Sequence, residues 1–94
     1  MNVVIEPLAQ ETIEEIAEFA ESVNTAGAGD RWTDKILDFI IGYAQPNAQY
    51  ALCNNKELAR QLLSCIVFNN WVIAFRIERN VLTVYQIIHG SLLK

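Results

Sequence analysis

The chain is poor in the residues that carry metal, redox and phosphate chemistry, and each scarcity removes a class of function. Its single histidine and two cysteines supply no cluster with metal-ligand spacing, so neither a metal nor another cofactor is expected. Cys53 and Cys65 are too few and too isolated to form a disulfide framework. They are expected as free thiols of a reducing, cytoplasmic compartment. Positive charge is scarce: seven Lys and Arg stand against eleven Asp and Glu, a net charge of −4. The seven form no stripe, which disfavours direct binding of nucleic acid. No apolar run reaches the roughly 18–20 residues of a membrane span; the longest, Ile36 to Ala44, is broken by Asp38. The first residues lack the basic start and small-residue cleavage site of a signal peptide. Repeats, low-complexity tracts and linkers are missing as well, which leaves residues 1–94 as a single domain.

What the chain does have is apolar surface. Hydrophobic residues make up 52% of it, yet a chain this short hides only about 60–65% of its unfolded surface. A bound partner, or a second copy of the chain, is the expected remedy for the excess.

The pattern predicts an α+β fold. Val3, Val4 and Ile5 read as a short strand ending at Pro7, which suits the first turn of a helix. Ala9, Ile13, Ile16, Ala17, Ala20 and Val23 then recur at helical spacing, with glutamates between them. Six of the eleven acidic residues fall between Glu6 and Glu21, as expected of a solvated outer face. After the turn Asn24 to Gly29, Asp30 is placed to cap a second helix. Trp32, Ile36, Phe39, Ile40 and Tyr43 line one face of that helix; Leu37, Ile41 and Ala44 line a second. Pro46 and Asn47 stop it, giving a helical hairpin. Residues 47–60 read as loop with one helical turn near Lys56 to Leu58. Three β-type runs follow, Leu62 to Phe68, Trp71 to Ile77 and Val81 to Ile88. Turns at Asn69-Asn70 and at Glu78 to Asn80 join them into an antiparallel meander. Both faces of the meander are apolar, while a helical hairpin covers one. A partner chain is the expected cover for the other.

The order of strand, helical hairpin and three-stranded antiparallel meander resembles the RelE/ParE toxin superfamily. The sharpest likeness lies in Trp71-Val72-Ile73-Ala74-Phe75-Arg76-Ile77 and in Val81 through Ile88-His89-Gly90-Ser91. There an aromatic-Arg-aliphatic strand precedes a β-rich strand ending in His and a small or polar pair, as in the ParE branch. Ala9 after Pro7, and Tyr43-Ala44-Gln45-Pro46 at the end of the second helix, fit the same pattern. The resemblance implies the toxin of a type II toxin–antitoxin, or plasmid-stabilisation, module, neutralised by a cognate antitoxin whose tail wraps around it.

Two activities occur in that superfamily. RelE-type members cut messenger RNA on the ribosome with several Arg, Lys, Tyr or His groups on the sheet. The matching positions here hold Leu62, Ser64, Val72 and Leu92, so the cations that would offset phosphate charge are missing. The ParE branch is the favoured one, and it implies binding to a protein target such as DNA gyrase. The alternatives are a diverged RelE-like endoribonuclease using His89, Arg76 and Arg60, and a non-toxic binding or dimerisation module.

The candidate contact residues for antitoxin or target are Arg60, Trp71, Arg76, Tyr85 and His89. No catalytic residue is assigned; His89 is the weak candidate, set against a structural histidine at a strand end and lacking a Ser, Cys or second His as partner in the sequence. Arg76 shares a strand face with Glu78, so an internal ion pair competes with a partner carboxylate for it. Arg60 could serve the same contact, but a solvated loop arginine is the better reading. Trp71 and Tyr85 read as interface anchors or as core. Trp32 reads as a staple of the hairpin or as a partner contact.

Overall fold

The computed structural model describes residues 1–93. Strand β1 (Asn2–Ile5) leads into helices α1 (Pro7–Val23) and α2 (Ala28–Ile41), then the short α3 (Lys56–Arg60). The meander follows as β2 (Ser64–Phe68), β3 (Trp71–Glu78) and β4 (Val81–His89), closed by a 3-10 turn over Gly90–Leu92. The sheet runs β1-β4-β3-β2. The first strand therefore joins the last one, in parallel, from Asn2 opposite Val81 to Ile5 opposite Val84. A parallel pair needs a crossover, and α1 and α2 pack on one face of the sheet.

Pro7 occupies the first turn of α1. Ala9 and Ile13 are fully buried against the sheet, whereas Val23, the last residue of the helix, stays 58% exposed. The predicted core stripe thus ends a turn early. Asp30 does not cap α2; it lies in the first turn of a helix whose N-cap is Gly27, in the left-handed region at φ 85°. The cap comes from the other helix. The Glu21 carboxylate accepts hydrogen bonds from the backbone N–H of Gly27 (2.8 Å) and of Gly29 (3.0 Å). Those two bonds, Gly29 first, hold the Glu21 carboxyl below the ordinary carboxylate value, with a smaller contribution from the Arg31 charge. The helices touch backbone to backbone at this point, since a Cβ on Gly29 would sit 2.6 Å from the Ala17 carbonyl oxygen.

Ile36 and Ile40 of α2 join Ile73, Phe75, Leu82 and Val84 in the main core. A run of aromatics borders it. Trp32 meets Phe68 edge-on, Phe39 tilts against Phe68, and Tyr50 bridges Tyr43 and Phe75. Trp32 is thereby tied to the sheet. Ile41 of the second predicted stripe is 56% exposed.

Strands β2 and β3 turn at Asn69-Asn70, with Asn69 at φ 55°; β3 and β4 turn at Arg79-Asn80, both at positive φ. Glu78 belongs to β3, paired with Val81. One irregularity sets the faces of β4. Ala74 pairs with Gln86 and Phe75 with Val84, so Tyr85 is an extra residue, a β-bulge. It lets Leu82 and Val84, and then Ile87, face the same core although their parity differs.

The second face of the sheet is not left bare, contrary to expectation. Leu58 of α3, with Cys53 and Leu63 beside it, packs over Ala74, Cys65, Tyr85, Ile88 and Leu93 as a small separate cluster. The chain shields that face in part with its own segment. Nor are the cysteines free: Cys53 and Cys65 form a disulfide, at the base of this segment.

Candidate protein-binding site

Central strand β3 and its neighbour β4 gather four of the five candidate residues into two pairs. The first pair grows from the bulge. Arg76 pairs in register with Thr83, two positions before Tyr85. Its Nη2 donates to the Tyr85 hydroxyl (3.0 Å) and its Nη1 to the Gln61 carbonyl at the end of α3 (3.1 Å). The guanidinium carbon lies 5.1 Å from the Tyr85 ring centre, within cation–π range. Nε faces the Glu78 carboxylate, as a charge contact rather than an aligned hydrogen bond. The Arg76 side chain is one-third exposed and that of Glu78 more so, so water weakens this ion pair. Its role is to orient the guanidinium, which meets Tyr85, Gln61 and Glu78 of its own chain.

The second pair stands at the opposite end of β3. Trp71 and His89 are direct cross-strand partners, and their rings meet edge to face at 5.1 Å. His89 Nδ1 accepts from the Ser91 backbone N–H (3.3 Å) and lies 2.8 Å from the Ser91 hydroxyl. Accepting there places the ring proton of a neutral His89 on Nε2. Expected without a serine partner, His89 has one in Ser91, two residues on. The contact is that of an N-cap for the 3-10 turn, which spends Nδ1 on holding the chain end.

Beside this pair opens a cleft of about 430 Å³ lined by Glu15, Ile16, Phe19, Asn69, Asn70, Trp71 and His89. Phe19 is 66% exposed, although it sits among the glutamates of α1. It was absent from the predicted site. The signal was present as an aromatic residue on the polar side of the helix, with Leu8, also exposed, on the same flank. Along the rest of α1 the outer surface is acidic, with Glu11, Glu14, Glu15, Glu18 and Glu21 all exposed.

Arg60 belongs to neither pair. It bonds Glu57 one turn back at 3.0 Å, and both side chains are more than 70% exposed. Such a pair contributes little. Among the described residues, no group of three His, Cys, Asp or Glu side chains is placed to hold a metal ion, and no helix is long and apolar enough to cross a membrane.

The arrangement offers aromatic anchors, an exposed apolar cleft and an acidic surround. These are the elements of protein recognition. No curated protein matches the chain. The family model of the ParE toxin of type II toxin–antitoxin systems, parDE, matches residues 3–92, nearly the whole chain. With its strand, helical hairpin and antiparallel meander, the chain belongs to the ParE toxin family.

Proposed function

We propose that this chain is a toxin that acts by binding a protein target of the DNA gyrase type and is silenced when a cognate antitoxin covers its contact surface. The observation that carries the reading is the state of Arg76. Arg76 is the only Lys or Arg within the three meander strands. Its guanidinium is engaged by Tyr85, Glu78 and the Gln61 carbonyl. A ribonuclease needs cations free to meet a phosphate as charge develops in the transition state. Here the one Lys or Arg of the meander is already engaged. Trp71, His89 and Phe19 line one apolar cleft, suited to an apolar anchor from a partner.

In this reading Trp71, Tyr85 and His89 are contact residues. Arg76 positions Tyr85, and Arg60 is at most a rim charge. The antitoxin is a protein segment with apolar side chains for the cleft and basic ones for the acidic face of α1.

Expression of the chain alone in a bacterium, with and without the product of an adjacent small open reading frame, tests this. Growth arrest with a DNA-damage response, relieved by the neighbouring product, is the expected result. Arrest with messenger cleavage overturns the reading in favour of a ribonuclease, and absence of arrest in every host leaves a non-toxic binding module. Replacing Trp71 by Ala removes an aromatic anchor worth about 2 kcal/mol, roughly a thirtyfold loss of antitoxin affinity, measurable by calorimetry.

A further inference from the structure

We propose that Cys53 and Cys65 form a reversible thiol–disulfide site that latches the α3 segment over the Arg76–Tyr85 face of the sheet. The inference is independent of what the toxin targets, because it concerns only which surface the chain presents.

The two cysteines bracket the segment. Cys53 lies just before α3, and Cys65 lies in β2, opposite Ala74 of β3. Their bond closes a loop that contains the whole of α3. That helix has five residues, far too few to persist in water on its own strength. Apart from the disulfide, a short set of contacts retains it. Leu58 and Leu63 are buried, the Asn55 side chain caps the Leu58 N–H at 3.1 Å, and the Cys53 N–H donates to the Leu63 carbonyl at 2.9 Å. Gln61 meets Arg76.

Two features make this a local latch rather than a staple of the fold. The buried residues beneath α3 form their own cluster, distinct from the main core that joins α1, α2 and the sheet. The strand ladders also run their length without help from the segment, apart from a single bridge between Leu52 and Ser64. Opening the disulfide therefore loosens 53–63 and leaves the rest packed. What it uncovers is specific: Ala74, Tyr85 and Ile88 lose their cover, and Arg76 loses the Gln61 carbonyl. The face gains an apolar patch centred on a guanidinium with a free donor.

The chemistry needs a dithiol reductant. A thiolate of that reductant attacks Sγ of Cys65, the less buried of the two, forming a mixed disulfide and expelling Cys53 as thiolate. The second thiolate of the reductant then displaces Cys65 and becomes a disulfide itself. Two electrons pass to the protein, and its two thiolates take up two protons.

Amide hydrogen exchange on the full chain, read by mass spectrometry before and after dithiothreitol, tests the latch, with thiol alkylation reporting the bond. The oxidised chain is expected to carry no alkylatable thiol and the reduced chain two. Exchange across 53–63 is expected to rise about a hundredfold on reduction, the equivalent of releasing a loop of this length. Protection in α1, α2, β3 and β4 is expected to persist. The double variant Cys53→Ser/Cys65→Ser is expected to reproduce the reduced pattern without reductant. Failure of the bond to form in air, or its survival in excess dithiol under native conditions, overturns the proposal. Unchanged exchange across 53–63, or loss of protection throughout the chain, overturns it too.

Discussion

Three single positions show how much of the stability sits in geometry rather than in side-chain type. Gly29 is required by contact: any Cβ there meets the Ala17 carbonyl oxygen, which is backbone and cannot step aside. Gly29→Ala is expected to cost about 1–3 kcal/mol by forcing the helices apart, read from urea denaturation. Leu62 is the reverse case. It holds φ at 61° while 61% exposed, so its side chain gains little burial in a backbone region that a Cβ disfavours. Leu62→Gly is expected to stabilise the chain by about 1 kcal/mol, an apolar residue lost to advantage. Glu21 adds a pH dependence. Its carboxyl is depressed in the folded chain by the N–H groups it accepts. Its stabilising effect is therefore complete above the ordinary carboxylate value and is lost as pH falls through the lower folded value. Glu21→Gln is expected to lower Tm at neutral pH and to match the parent once the solution is acidic enough to protonate Glu21 in both states. Equal Tm differences at both pH values would contradict this account of the cap.

At the scale of elements, the bulge at Tyr85 separates architecture from recognition. Leu82 and Val84 face the core on one side of it and Ile87 on the other. Deleting Tyr85 restores plain alternation between Val84 and Gln86, and so keeps every core residue on its face. The deletion variant is expected to fold with an unchanged circular dichroism spectrum, while Arg76 loses its ring partner and antitoxin affinity falls. A variant that fails to fold would show the bulge to be structural. The bulge also marks where the pattern of residues stops being informative. The run from Val81 to Ile88 alternates two apolar sets of nearly equal hydropathy, so either could face inward; the decision lies in the pairing with β3. Helices α1 and α2 were legible because their apolar residues recur at helical spacing and Pro7 marks the start of α1; α2 ends at Ile41 with Gly42 as its C-cap, short of the stop expected at Pro46. The helical turn at Lys56 was legible as a turn but not as a cover, since five residues carry no periodicity to say what they pack on. The disulfide was hidden for a related reason. Two cysteines twelve residues apart say nothing until the segment between them folds back on itself.

Across the whole molecule, composition alone signalled an excess of apolar surface, and the chain answers part of it internally. The helical hairpin covers one face of the sheet and the α3 segment part of the other. What stays outside is dispersed along edges and flanks, at Val4, Leu8, Phe19, Val23, Ile41, Leu52, Leu62, Val67 and Leu92. The pairs Arg76 with Tyr85 and Trp71 with His89 could not be read along the chain, because each joins residues on neighbouring strands whose register the bulge shifts. The parallel seam between β1 and β4 bears on mechanics. These strands come from the two extremes of the sequence and point the same way, over four matched positions. A tug on the leading end of one against the trailing end of the other loads those backbone links sideways and together, instead of peeling them singly. Stretched between those two ends, the pair gives way as a unit and not link by link.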